Sequence, residues 1–137
     1  MRPKRVILLV DQDEQTLMER RFLLVTYAYR VIAARNTAVA LKAYIAPQSI
    51  DLVLVNDCPH VVDGAWLVPR LKRARPDVSV LLLVDRAESC PPEAIAVLRE
   101  CRPADLLEQI RIMSQRKRGP RKGSQRVVKP ESSTVST

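Results

Sequence analysis

The chain has 137 residues, 47% of them hydrophobic and only 4% aromatic, with a net charge of +8. This length suits one domain with an aliphatic core. The longest apolar runs, residues 6–10 and 78–84, are far shorter than the ~20 residues of a membrane span. We therefore predict a cytoplasmic protein with no membrane span. Three glycines leave no Gly-rich phosphate loop, and no Ser/His/acid set is evident, so we do not expect an enzyme.

The positive charge is concentrated at the C-terminus. From Ser114 onward the chain has seven Lys/Arg and one acid, 7 − 1 = +6, so the preceding 113 residues carry 8 − 6 = +2. We predict a folded domain over residues 1–113 and a basic, disordered tail over residues 114–137. Nucleic-acid phosphates could be contacted by Arg116, Lys117, Arg118, Arg121 and Lys122. A solubilising role, or contact with acidic protein or membrane surfaces, would use the same residues.

The first half of the chain predicts three buried strands separated by two helices. The strands are residues 6–10, 30–34 and 52–56, each a short aliphatic run. Asp13 can cap the first helix, and Asn36 or Thr37 the second, which stops before Pro47. Four apolar residues repeat at helical spacing along the first helix, as in an amphipathic helix: Leu17, Met18, Phe22 and Val25.

The second half continues the alternation. A helix over residues 65–73 offers Trp66, Leu67 and Leu71 for packing, although Pro69 costs it a hydrogen bond or shortens it. Residues 78–84 and 94–98 are strands, and the prolines in residues 85–92 exclude a regular helix between them. Pro103 opens a last helix through residue 113.

Alternating strands and helices predict an α/β fold, because parallel strands need helical crossovers. Five strands fit a doubly wound parallel sheet of flavodoxin-like order 2-1-3-4-5. Arg99 lies only 15 positions after Val84, which is too short for a loop, a full helix, another loop and a strand. We therefore predict a shortened fourth helix.

Three segments carry a family resemblance: RVILLVDQD (5–13), DLVLVNDCPHVVDG (51–64) and VSVLLLV (78–84). In this order, with helices between them, they resemble response-regulator receiver domains, which act in two-component (phosphorelay) signal transduction. In that family an aspartate on the third strand accepts phosphate, and acids after the first strand help to hold Mg²⁺. A Thr or Ser and a Lys at the ends of the fourth and fifth strands read the phosphate, and an aromatic residue rotates as a switch.

The resemblance places different residues at most of these positions. Asn56 stands at the phospho-acceptor position, and the acidic pocket is reduced to Asp11, Gln12 and the offset Asp13. The switch positions fall on Val84 for the hydroxyl, Arg99 for the lysine and Ala96 for the aromatic ring. An amide is not a nucleophile toward phosphate, because its nitrogen lone pair is delocalised and its oxygen carries no full charge. Mg²⁺ needs hard oxygen ligands, usually with more than one carboxylate.

The sequence therefore predicts an atypical receiver domain, independent of phosphorylation, without a cofactor or bound metal. It would act by binding a partner signalling protein or by self-association. A decayed domain would show the same pattern, and a nucleic-acid-associated regulator using the basic tail is the alternative. Asp57 is a weaker acceptor candidate, since strand alternation points it away from the side of Asn56. Cys58 and His60 alone do not make a zinc site.

Overall fold

The computed structural model describes residues 5–46, 49–58 and 61–114. Five parallel strands form one sheet in the order β2-β1-β3-β4-β5. They are β1 (Val6–Val10), β2 (Arg30–Ala34), β3 (Leu52–Asn56), β4 (Ser79–Val84) and β5 (Ile95–Leu98). The predicted fold class and strand order are confirmed.

Within the described residues, four helices connect and cover the strands: α1 (Glu14–Thr26), α2 (Thr37–Ile45), α3 (Gly64–Ala74) and α4 (Pro103–Ser114). Asp13, Asn36 and Asp63 are the N-caps of α1, α2 and α3, and each side chain accepts a backbone N–H of the first turn. Between β4 and β5 the chain makes only one 3-10 turn, residues 87–89. The prediction of a shortened fourth helix is therefore confirmed.

The core has two layers because all residues of β1 and β3 are buried and alternate between the faces of the sheet. One layer contains Leu8, Val53 and Leu82 and is covered by α2 and α3. The other contains Leu9, Leu54 and Leu83 and is covered by α1 and α4. In the described ranges, no helix is long and apolar enough to cross a membrane.

The expected apolar face of α1 is only partly correct. Leu17 is buried as predicted, but Met18, Phe22 and Val25 are 59%, 76% and 53% exposed. The second buried residue of the helix is Leu24, seven positions after Leu17. Apolar residues lie on more than one side of α1, so their spacing alone does not identify the side that faces the sheet.

In α3, Leu67 and Leu71 are buried, but Trp66 is 41% exposed and does not enter the core. The Arg70 guanidinium instead lies 3.9 Å from the centroid of its ring, a cation–π contact at the surface. Pro69 is accommodated inside α3, which continues to Ala74 and is not shortened. The predicted tail beyond Ser114 lies outside the described residues, and so does His60.

Candidate functional site

Two of the polar residues predicted for the site, Asp11 and Asn56, meet at the carboxyl edge of the sheet. Asp11 directly follows β1, and Asn56 ends the neighbouring β3. Parallel strands bring such positions together at one edge, where ligands of this fold class commonly bind. Both side chains are nevertheless withdrawn from solvent, since Asp11 is 0% and Asn56 9% exposed. A buried carboxylate must find its charge and hydrogen-bond partners inside the protein.

Asp11 accepts four hydrogen bonds. Its Oδ1 accepts from the Asp13 backbone N–H and from Nδ2 of Asn56, each at 3.0 Å. Its Oδ2 accepts from the Thr16 hydroxyl at 2.6 Å and from Nη1 of Arg20 at 2.8 Å. A carboxylate offers about four lone-pair positions, so these partners fill its hydrogen-bonding capacity.

Arg20 supplies the positive charge that faces Asp11. Its side chain is only 18% exposed, and that of Asp11 is 0% exposed, so the ion pair is largely shielded from water. Sequence reasoning missed this residue, because a charge on a helix usually lies in solvent. The spacing carried a usable signal. Arg20 falls three residues after Leu17 and four before Leu24, hence on the buried side of α1.

Asn56 links the Asp11 cluster to a second arginine. Its Nδ2 donates to Asp11, and its Oδ1 accepts a hydrogen bond from Nη1 of Arg99. Arg99 also donates from Nε to Oδ1 of Asp85 at 2.9 Å. A continuous network therefore runs from Arg20 through Asp11, Asn56 and Arg99 to Asp85, and we call it the edge network. Arg99 lies where the resemblance places the family's lysine, but its guanidinium is engaged by the chain itself.

The side chains at the remaining predicted positions do not join the edge network. Asp13 caps α1 with its carboxylate, as predicted. The backbone carbonyl of Gln12 accepts a long contact of 3.5 Å from Arg35. Val84 is buried among apolar side chains, and Ala96 packs against the same layer. The predicted tail contacts, Arg116 to Lys122, are outside the described part of the chain.

Asp57 is turned away from the edge network, in agreement with strand alternation. Its Oδ1 accepts the backbone N–H of Gly64 at 2.9 Å, at the start of α3. A Cβ on Gly64 would lie 2.7 Å from Cδ1 of Leu82 and 3.0 Å from this oxygen, so the close approach of the backbone at residue 64 to these two side chains depends on glycine.

Burial, and then the nearby Asp57 charge, raise the pKa of the Cys90 thiol to about 11.

The residues present do not fit a Mg²⁺ ion. The one buried carboxylate of the pocket is already saturated, and its nearest charged partner is a guanidinium. A metal at Asp11 would have to displace hydrogen bonds and stand beside a positive charge. Among the residues that the structure describes, no group of three or more His, Cys, Asp or Glu side chains could hold a metal ion.

The fold is that of response-regulator receiver domains. Similar solved structures include the HemR receiver domain of Leptospira biflexa, with 22% identity over 86% of this chain and 100% of that one, at a TM-score of 0.73. The receiver domain of an HD domain-containing protein from Pseudomonas fluorescens Pf-5 is 24% identical over 84% of this chain and 90% of that one, at a TM-score of 0.72. A CheY-like receiver domain from Methanospirillum hungatei JF-1 is 23% identical over 82% of this chain and 94% of that one, at a TM-score of 0.69. No protein-family model matches the sequence, and no curated protein does either.

Proposed function

We propose that this protein is an atypical receiver domain of two-component signalling that works without phosphotransfer, through contact with a partner signalling protein. The observation that carries the proposal is the edge network. An amide stands at the acceptor position, and the adjacent carboxylate is neutralised by Arg20. Receiver domains are generally signalling modules rather than enzymes, and the described residues offer no better candidate for catalysis.

Several changes support the loss of phosphotransfer independently. Asn56 removes the nucleophile. Arg20 already supplies the positive charge that Asp11 would otherwise take from a metal ion. Val84 is 1% exposed and has no hydroxyl with which to bind a phosphate. Ala96 has no ring to rotate. Each change affects a different part of the reaction or of its readout, so restoring any single residue would not restore the function.

The outer side of α1 offers a surface for a partner protein. Met18, Phe22 and Val25 are each more than half exposed and lie at i, i+4 and i+7 on one helix. We call these three residues the α1 apolar face. An exposed cluster of large apolar side chains usually marks an interaction site. The spacing suits a helix or groove that buries several residues of one helical face at once.

Phosphotransfer is tested by intact-mass spectrometry after incubation with acetyl phosphate and Mg²⁺. We expect no hydroxylamine-labile phosphoryl adduct on the wild-type chain, and an active receiver domain in the same buffer serves as the positive control. A stoichiometric aspartyl phosphate on the wild-type chain would refute the proposal.

The role of Arg20 is tested by rebuilding the pocket. Gln12→Asp/Asn56→Asp restores two carboxylates, and Arg20→Met then removes the internal cation. We expect the triple variant to bind Mg²⁺ at least about tenfold more tightly than the double variant, because a like charge beside the ion is gone. Calorimetric titration measures this, with circular dichroism to check folding. Equal affinities would show that Arg20 does not obstruct the metal.

Partner binding is tested by affinity capture from cells of the source organism, followed by reconstitution with the purified candidate. Met18→Ser/Val25→Ser should weaken binding to a purified signalling partner at least tenfold. The control Ile45→Ser changes an apolar residue on α2 that is 72% exposed. Equal binding by both variants would exclude the α1 apolar face. Dimerisation that the double serine variant abolishes would favour self-association instead.

The nucleic-acid alternative rests on the basic residues after Ser114. Seven Lys/Arg there would give salt-dependent affinity without sequence preference. Gel shifts at two salt concentrations, with the full chain and with a chain ending at Ser114, test this function. Salt-sensitive binding that disappears on truncation would support it, and identical shifts would exclude a role for the tail.

A further inference from the structure

A groove of about 510 Å³ lies between α1 and the N-terminal half of α4. Its volume falls within the ~300–1,000 Å³ typical of small-molecule sites. The side chain of Leu83, on β4, lies at its base and is 1% exposed. The groove lies beside α1 and reaches from Thr16 to Thr26, about 15 Å at 1.5 Å per residue.

The walls of the groove are mainly apolar. Phe22 and Leu23 line it from α1, and Pro103 and Leu106 line it from the α4 side. Phe22 is 76% exposed in the free chain, so a bound molecule could cover a large aromatic area there. These walls would bind an aliphatic chain by burying its surface.

Two guanidinium groups also line the groove, and both retain unused donors. Arg20 donates to Asp11 from Nη1 only. Arg99 donates from Nε and Nη1, to Asp85 and Asn56. The Nη2 group of each arginine has no hydrogen-bond acceptor among the described residues. Guanidinium groups pair with carboxylates through such parallel N–H donors.

Two other ionisable side chains, Glu19 and Cys101, line the groove beside these arginines. The Glu19 carboxylate, which also lines the groove, accepts a hydrogen bond from the Gln15 amide one turn earlier. Burial, with a contribution from Asp105, raises the pKa of the Cys101 thiol, so that this lining group stays neutral. The N-terminus of α4, at Pro103, adds a partial positive charge.

We propose that this groove binds a small amphipathic anion, an aliphatic carboxylate. Its head would pair with the free donors of Arg20 and Arg99, and its chain would lie along Phe22, Leu23 and Leu106. Two guanidinium groups with free donors beside apolar walls fit this ligand class better than a neutral lipid or a cation. The groove shares Arg20 and Arg99 with the edge network and Phe22 with the α1 apolar face. The binding proposal does not require the signalling function, because it rests on the lining of the groove and on its free donors.

Decanoate is a suitable probe, used with the full chain and well below its micelle-forming concentration. Calorimetry measures affinity, and amide chemical shifts map the site. We expect saturable binding with shifts on α1 and at the start of α4. Decanol, with the same chain but no charge, should bind at least tenfold more weakly, and decyltrimethylammonium should not bind.

Two matched pairs of variants separate the head from the chain. Arg99→Gln should weaken decanoate binding about tenfold, whereas Arg102→Gln, at an exposed neighbouring arginine outside the groove, should leave it unchanged. Phe22→Ser should weaken binding several-fold. Ile45→Ser, at a similarly exposed residue on α2, should not.

Three outcomes would overturn the proposal. Equal affinity for decanoate and decanol would mean that the arginines do not select the ligand. Binding that appears only after residues 115–137 are removed would assign the groove to the chain's own tail. A concentration-dependent dimer that Phe22→Ser abolishes, without decanoate binding, would assign it to a second copy.

Discussion

Replacing Arg20 by Met tests whether an internal cation holds the buried carboxylate. Met keeps most of the length of the side chain and removes its charge. The Nη1–Oδ2 contact with Asp11 is 2.8 Å, and the two side chains are 18% and 0% exposed. Breaking a buried pair by removing one partner costs roughly 3–5 kcal/mol. Asp11 would keep three neutral donors, so we expect about 3 kcal/mol, the lower end of that range.

The assay is urea unfolding followed by circular dichroism. With a urea m value of about 2 kcal/mol/M, a loss of about 3 kcal/mol lowers the midpoint by about 1.5 M. Arg21→Met is the matched control, because Arg21 is the next residue of α1 and is exposed. We expect that control to lie within about 0.5 kcal/mol of the wild-type chain.

A double-mutant cycle isolates the pair. Asp11→Asn removes the negative charge, and Asp11→Asn/Arg20→Met removes both charges. A coupling energy of at least about 1.5 kcal/mol is expected for residues in direct contact within one network. If Arg20→Met and Arg21→Met have the same midpoint, or if the coupling is near zero, Asp11 does not depend on Arg20 and the account of the edge network is wrong.

Further outcomes are expected at three other positions, Gly64, Cys90 and Val84. Gly64→Ala should destabilise the fold by about 1–3 kcal/mol, measured by urea unfolding, because its Cβ would lie 2.7 Å from the Leu82 side chain; an unchanged midpoint would show that Leu82 moves freely. The Cys90 thiol, with its pKa raised to about 11, should alkylate slowly at pH 8, and Asp57→Asn should speed the reaction by lowering that pKa. The free energy of unfolding should also fall as pH rises from 9 toward 11, because the thiol of the unfolded chain loses its proton first. An alkylation rate unaffected by Asp57→Asn would contradict the role of the Asp57 charge in raising this pKa. Val84→Thr should cost about 1–3 kcal/mol, since it buries a hydroxyl at a position 1% exposed, and a neutral result in the same unfolding assay would mean that the hydroxyl finds a partner.

The strands were predictable because β1, β3 and β4 are short aliphatic runs buried on both faces of the sheet. Their order was predictable because five strands alternating with helices fit a flavodoxin-like sheet. The caps were predictable as well, since Asp13 and Asn36 stand directly before helical segments. The reduced fourth helix followed from the short distance between Val84 and Arg99. In these cases local chemistry or chain length alone decides the outcome.

The outward face of α1 was not predictable from periodicity. Met18, Phe22 and Val25 repeat as regularly as Leu17 and Leu24 do, and only contact with the sheet decides which set is buried. The same reasoning explains Trp66 on α3, whose ring contacts Arg70 at the surface. Single-helix patterns contain no information about which side another element covers.

The site was predictable as a set of positions but not as a network. Asn56 and Asp11 could be placed on neighbouring strand ends from the sequence. Thr16 and Arg20 are the partners that saturate and neutralise Asp11. They lie in the first and second turns of α1, a helix whose orientation was not known from the sequence. The Arg99 contact to Asn56 crosses 43 residues of sequence. Such long-range pairings depend on the assembled fold.

The saturation of Asp11 also limits how the sequence could change over evolutionary time. Losing Arg20 alone would leave an anion stranded in the interior, and gaining an aspartate at position 56 alone would place a second one against it. Each of these single substitutions is therefore expected to lower the stability of the present chain. The arrangement that stabilises the fold thus also constrains which single substitutions positions 20 and 56 can tolerate.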